Sequence, residues 1–446
     1  MSKIFILKQH TPMLHFQASQ YGATLRASDV KPRLDRWLID TLGGDDNSKF
    51  ENCQKYLIGY PGNPNEPGLS DKERSGRNST ISALRNKFIS DGFRALNYKM
   101  RIAPAEPKEY IQNPNVSPMY FGRGASQVKY PKIELCFTAT DTSFLDEILT
   151  EDKLNTFFNT HNFGTRASKG YGSFMIENLE EHNIEGLKRQ YYYFNVPEQE
   201  YKSLFANIEL LYKAMRSGIN DDDMYFKSFM YAYSQDNEKF WDKRVIKDYF
   251  LAGSVDGIKD EKLDFRDCLG FSSYQDWGYY GISMSRRFSV RRGSADVYGQ
   301  RYSSPIMFKP IKYESEWYVF IIPQETDSRY YAAKVIITLN SKKDKKDSAK
   351  NQEYRDLRKK YIKSNFLDSN GDVKIDAPKL EIEMKKDFSV NQYLDFIFGP
   401  ECADVMKLFS KKHPVTGVEY DLNTERVHKL ISIIENVRSH KLKSYE

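Results

Sequence analysis

The segment His161–Ser173, HNFGTRASKGYGS, sets three glycines, Gly164, Gly170 and Gly172, among two cations, Arg166 and Lys169, and one ring, Tyr171. Glycine lets a backbone take positive φ and lets a ligand come close to its amides. Amides and cations hold phosphate, and a tyrosine can stack on a base, a combination that suits single-stranded RNA. No GK[ST] follows the glycines, and the next element reads as a strand. A Walker loop and a dinucleotide fingerprint are therefore both excluded. The plain alternative is a tight turn with surface charges.

Two further clusters carry positive charge. In Gly22–Trp37, GATLRASDVKPRLDRW, residues Arg26, Lys31, Arg33 and Arg36 surround the start of a predicted helix. Helix N-termini attract phosphate through free amides and the dipole. Arg33 and Arg36 are three apart and share a face away from Leu34 and Leu38. In Met284–Lys312, residues Arg286, Arg287, Arg291, Arg292, Arg301, Lys309 and Lys312 stand against one acid, Asp296, with Tyr298 and Tyr302 interleaved. The whole chain is nearly balanced, with 67 basic and 61 acidic residues. Local excess is thus the informative quantity, and it predicts a basic surface fit for a flexible nucleic-acid strand.

Signals for catalysis are poor. The seven histidines are scattered, with no HExxH or paired spacing, so no metal is expected. His15 and His161 could act as general bases on a ribose 2′-hydroxyl, but a contact or packing role is commoner for such residues. Asp221, Asp222 and Asp223 read as a solvated triple acid. The four cysteines are far apart, which excludes a zinc site or disulfide framework and points to a reducing compartment. No apolar run is long enough to cross a membrane, and no secretory signal is visible. The expectation is a cytoplasmic protein without membrane attachment, metal or cofactor.

These residues need a scaffold. Lys3–Gln9, KIFILKQ, reads as a strand buried on both faces. Ser28–Leu42 is a predicted helix, capped by Ser28, with Val30, Leu34, Trp37, Leu38 and Leu42 on one stripe. Residues 43–80, rich in Gly, Asn, Pro, Asp and Ser, read as an irregular insertion. A strand is expected at Asn97–Ala103. Lys132–Ala139, KIELCFTA, alternates and predicts a half-buried strand. A helix over Ser143–Asn159 and a strand at Phe174–Ile176 complete the order strand, helix, strand, strand, helix, strand. That order is ferredoxin-like within an α+β class, and it bounds a first domain at 1–180.

At 446 residues the chain has room for a second domain, 181–446. There a strand is predicted at Gln190–Val196 and a helix at Gln199–Met215. Strands at Ser304–Ile311 and Trp317–Ile322 pair around a turn at Tyr313–Glu316. Ser341–Lys350 reads as a solvated charged loop. A final amphipathic helix, Thr424–Arg438, carries Val427, Leu430, Ile434 and Val437 on its apolar stripe.

Together the three basic clusters resemble the RAMP superfamily of CRISPR systems. Its members are built on ferredoxin-like, RRM-related domains and carry a glycine-rich loop between a helix and a strand, as FGTRASKGYGS does here. TPMLHF (Thr11–Phe16) and GATLRASDVKPRLDRWL (Gly22–Leu38) are similar to the family's first strand end and arginine-bearing helix start. LYKAMRSGI (Leu211–Ile219) resembles its R-S-G element. FRDCLGF (Phe265–Phe271) and YGQRYSSPIMFKP (Tyr298–Pro310) resemble elements of the large head subunit of type III-B (Cmr) complexes. The resemblance implies two RAMP domains with insertions and a helical C-terminal region. It implies a non-catalytic subunit that holds the 3′ side of CRISPR RNA and the adjacent guide–target duplex beside other RAMP subunits. A RAMP endoribonuclease using His15 or His161, the equivalent subunit of another type III subtype, and basic surfaces that meet acidic partner subunits are the rivals.

Overall fold

The computed structural model describes residues 2–14, 24–107, 109–110, 128–141, 143–177, 180–197, 201–220, 224–237, 267–272, 274–279, 282–292, 295–299, 301–324, 334–341, 369, 380–383, 388–412, 417 and 419–442. His15, Asp221–Asp223 and the charged residues 342–350 lie outside these. The fold mixes helix and sheet, as an α+β class requires. It divides into two compact units, Met1–Ala206 with Phe308–Phe320, and Asn207–Met307 with Ile321–Glu446.

The first unit is built on β1 (Ser2–Gln9), α1 (Ala27–Asp40), α2 (Asp46–Cys53), α3 (Asp71–Ser90), β2 (Lys99–Pro104), β3 (Lys132–Thr138), α4 (Glu151–Asn159) and β4 (Phe174–Ile176). The strands form one sheet in the order β2-β3-β1-β4. Every neighbouring pair is antiparallel. Alternation in β3 places Ile133, Leu135 and Phe137 in the core, all fully buried. They meet Val30, Leu34 and Leu38, spaced by four along α1, and Leu154, Phe157 and Phe158 of α4. β1 departs from the expectation of two buried faces. Leu7 is fully buried, but Ile4 is 58% exposed, because Ile4 and Ile6 alternate with the core-facing Phe5 and Leu7.

Residues 43–80 are irregular only in part: α2 and the first half of α3 lie within them, with an irregular stretch at 57–70 between. Asp45 caps α2 by accepting from the Ser48 amide at 2.8 Å. Ser70 and Glu73 form a reciprocal capping box at the start of α3. α3 buries only Leu84 and Phe88, so its sequence shows almost no apolar stripe. Phe88 meets Phe50 of α2 edge-on at 5.4 Å between ring centroids. Cys53, buried below this pair, has its thiol pushed up to about 12 by burial and is a packing residue.

Two other boundaries differ. The single helix expected over 143–159 is broken. A wide turn at Phe144–Ile148 ends at Leu149, and α4 starts afresh behind Thr150, whose hydroxyl accepts from the Lys153 amide at 3.3 Å. Ser28 does not cap α1, since Arg26 takes the cap position without a side-chain hydrogen bond.

The chain continues through α5 (Glu180–Gln190), β5 (Tyr192–Val196), α6 (Tyr201–Arg216), α7 (Phe229–Asp236), β6 (Tyr274–Tyr279), β7 (Ile282–Arg292), β8 (Ala295–Gly299), β9 (Ile306–Tyr313), β10 (Glu316–Pro323), β11 (Lys334–Ser341), β12 (Leu380–Glu383), α8 (Val390–Phe398) and α9 (Glu425–Leu442). The first unit thereby gains a three-stranded sheet, β9-β10-β5, from the later segment Phe308–Phe320. In the second unit the sheet order is β6-β7-β11-β12, with β8 also on β7. Val427, Leu430, Ile434 and Val437 of α9 are fully buried, so the stripe is core. Arg438 donates to Ile397 O and Ala403 O and closes the C-terminal end of α8. Among the described residues no helix is long and apolar enough to cross a membrane, and no group of three metal-ligating side chains is found.

Candidate nucleic-acid interface

The glycine loop is a closed hairpin. Asn162 and Ser173 bridge antiparallel, and the Phe163 amide donates to Gly172 O at 2.9 Å. Inside it, the Lys169 amide donates to Arg166 O at 2.8 Å and the Gly170 amide to Ala167 O at 3.2 Å. Arg166 takes a left-handed backbone, φ +62°, that usually falls to glycine.

The loop is lashed to the segment that follows β1. The Gly172 amide donates to Pro12 O at 3.0 Å and the Thr165 amide to Leu14 O at 2.9 Å. The Thr11 hydroxyl donates to Gly170 O at 2.6 Å and accepts from the Ser173 amide at 3.0 Å. The amides of Thr165, Lys169, Gly170 and Gly172 are therefore spent inside the protein. This corrects the expectation of amides gripping phosphate. The glycines serve close approach instead: a Cβ on Gly164 would lie 2.6 Å from Met13 Cγ, and one on Gly172 would lie 1.9 Å from Phe163 O.

From the other side β9 reaches under the loop. Phe308 and Lys169 form a parallel bridge, and the Phe308 amide donates to Ser168 O at 3.2 Å. Asn162 Nδ2 donates to both Ala167 O and Phe308 O at 2.8 Å. Lys309 is fully buried, so it is no part of a basic surface. Its Nζ donates to Phe158 O at 2.8 Å, His161 O at 3.0 Å and Phe174 O at 2.8 Å. Burial pulls its pKa well down.

The other sequence-predicted residues divide by environment. Tyr171 is fully buried and stacks on Phe205 with centroids 4.0 Å apart, so Phe205 takes the place expected for a base. The Lys169 ammonium is closed off from solvent. Lys31 is committed to Asp35 at 2.6 Å, to Leu96 O at 2.8 Å and to the face of Tyr98 at 4.0 Å. Burial raises the Asp35 pKa, and Lys31 opposes that rise. These three residues therefore belong to packing. Arg33 and Arg36 are exposed, while Arg26 and Arg166 are half-buried. Arg33 joins two predicted clusters: its Nη1 donates to Asn162 O at 3.3 Å and its guanidinium lies 5.7 Å from the Phe163 ring.

In the second unit, Arg286, Arg287, Arg291 and Arg292 lie on β7 in unbroken register with β11 and β8. Arg301 pairs with Ser272 in a separate two-stranded ribbon.

Sequence reasoning missed Thr11, Asn162 and Lys309 as the fasteners of the loop. The one signal was a lysine set in the apolar run Ile306–Ile311.

His161 packs on Phe157 with centroids 4.4 Å apart, and its Nδ1 donates to Phe157 O at 2.8 Å. Burial lowers its pKa to about 4. His10 is likewise held well below the usual histidine value by burial, with its Nδ1 accepting from the Lys312 amide at 3.0 Å. Both are neutral in the folded protein at neutral pH. Their folded pKa values lie below the unfolded one, so the unfolded chain binds more protons below about pH 6.5, down to about pH 4 in the case of His161. Stability should fall as pH drops through that window, by up to about 1.4 kcal/mol per pH unit for each histidine. Urea titrations at pH 7.5 and 5.0 check this, and His161→Gln should flatten the difference.

A loop fastened to the strand end behind TPML, with an arginine-bearing helix beside it, can hold an anionic chain on fixed side-chain cations. No curated protein is similar enough to the chain to match it. Two family models do match, the Cmr1 N-terminal domain over residues 1–219 and the Cmr1 C-terminal domain over residues 225–412. With both halves matched, the chain belongs to the Cmr1 family, a RAMP-like subunit of type III-B CRISPR effector complexes.

Proposed function

We propose that this subunit binds RNA without cutting it, and that it holds the 3′ side of the CRISPR RNA and the adjacent guide–target duplex beside other RAMP subunits in the cytoplasm. The observation that carries the reading is the junction of α1 with the glycine loop. Exposed Arg33 and Arg36 stand on the helix that Arg33 ties to Asn162 and Phe163. The contacts are side-chain cations on phosphates, which position RNA without reading its sequence. The antiparallel order β2-β3-β1-β4, with helices in both crossovers, supports a ferredoxin-like first unit. The half-buried, neutral His161, with one ring nitrogen committed to Phe157 O, is a poor general base and supports a non-catalytic role.

Guide RNA affinity should fall steeply with salt. The double change Arg33→Glu, Arg36→Glu should weaken binding roughly a hundredfold at low salt and reduce the slope of log K against log salt by about 0.7 per lost phosphate contact. Fluorescence anisotropy over a salt series measures both. Affinity indifferent to salt would sink the reading. Cleavage of repeat RNA that disappears on His15→Ala or His161→Ala would establish the endoribonuclease instead.

A further inference from the structure

In the second unit three segments far apart in sequence meet at the end of α6. Tyr212 OH donates to Leu269 O at 3.3 Å, and one turn later Arg216 Nη2 donates to Gly270 O at 2.5 Å. Directly after Gly270, Phe271 and Ser272 pair with Tyr302 and Arg301. The helix end is closed by backbone hydrogen bonds. The Ser217 and Gly218 amides both donate to Lys213 O, at 3.0 and 2.8 Å. Gly218 sits at φ +75°, where a Cβ would lie 2.5 Å from Phe226 O.

Arg216 is half-buried, and its Nε is enclosed with no protein acceptor. Among the described residues no carboxylate pairs with it, whereas its neighbour Lys213 pairs with Glu209 at 2.7 Å. A guanidinium has five donors in a planar fork that matches a phosphate. Here Gly270 O orients Nη2 and Nε is enclosed, so the Nη1 side of the guanidinium is the part left for a ligand, and no carboxylate among the described residues occupies it. Leaving such a group half-desolvated without a counter-ion is costly. The chain also brings a second arginine, Arg301, into the ribbon that begins at the residue after the Arg216 contact.

We infer that Arg216, oriented by Gly270 beside the Ser272–Arg301 pair, is a second phosphate-binding position for an RNA backbone, separate from the glycine loop. This rests on the RNA-binding reading above and extends it to the second unit. Arg216 supplies the oriented guanidinium, and Arg301 is placed on the adjoining ribbon by its backbone pairing with Ser272.

Three full-length variants and the wild-type protein test it. Arg216→Gln should lower guide RNA affinity at least about tenfold and reduce the salt slope by about 0.7. Its effect should add to that of Arg33→Glu, Arg36→Glu. Arg301→Gln, which leaves the Gly270 contact in place, should weaken binding in the same direction without shifting the thermal midpoint. In the wild-type protein, guide RNA carrying 4-thiouridine should crosslink to peptides containing 212–218, 269–272 or 301–302. Crosslinks confined to residues 1–206 would overturn the proposal while leaving the RNA reading intact. So would affinity unchanged in both the Arg216 and Arg301 variants, including the case in which they lose assembly with other subunits and thereby mark a protein contact. Absence of any RNA binding by the wild-type chain would instead remove the parent reading.

Discussion

Lys309→Met is expected to destabilise the first unit by about 3 kcal/mol or more. The lysine is fully enclosed, and its ammonium serves Phe158 O, His161 O and Phe174 O at once. Methionine fills a similar volume but offers no donor. It leaves three carbonyls in a place water cannot reach, and each orphaned buried group costs about 1–3 kcal/mol. Part of that cost is offset because a desolvated charge is also removed. Two of the acceptors lie at the C-terminal end of α4, where a cation also answers the helix dipole. Lys312→Met provides the contrast. The Lys312 contact to His10 runs through the backbone amide, so that substitution should stay within about 0.5 kcal/mol. Urea unfolding followed by the fluorescence of buried Trp317 measures both.

Gly172→Ala should be the most damaging single methyl group in the loop. Gly172 holds φ +65°, and its Cβ would sit 1.9 Å from Phe163 O, a backbone atom that also receives no relief from a flexible side chain. Gly43 offers a matched comparison, with φ +70° and open space around the added carbon. Gly43→Ala should cost only the left-handed backbone term, about 1–2 kcal/mol. Gly172→Ala carries that term and a backbone collision besides, so it should cost more than about 3 kcal/mol or force the hairpin open. Opening would break the bonds to Pro12 and Phe163 and carry Arg33 away from Asn162. RNA affinity should then fall together with the melting temperature, whereas Gly43→Ala should leave affinity unchanged.

These two positions show what can be read from a chain and what cannot. β3 is legible because alternation at Ile133, Leu135 and Phe137 is a local pattern with one physical cause. The glycine loop is legible as special for the same reason: three glycines in nine residues need an explanation close at hand. What fastens it is not legible. Thr11 lies 159 residues from the carbonyl it serves and Lys309 lies 148 from His161 O, and no local periodicity records such pairs. The same blindness assigned Tyr171 to a base when Phe205 was to cover it. α3 was hidden because a helix that buries only Leu84 and Phe88 has no stripe, although Ser70 and Glu73 marked its start. Charge counts failed on Lys31 and Lys309 because composition does not say which cations the interior consumes.

The first unit closes only when Phe308–Phe320 arrives, about a hundred residues after Ala206. During synthesis at roughly 5–20 residues per second, the carbonyls at the end of α4, about 150 residues upstream, wait on the order of 7–30 s for the lysine that caps them. A nascent chain stalled before residue 308 would expose an unfinished loop beside an open sheet edge, the kind of surface that chaperones recognise. The ribosome must therefore deliver Asn207–Met307, a little under half of the second unit, before the first can mature, and the two units of this subunit share one folding schedule.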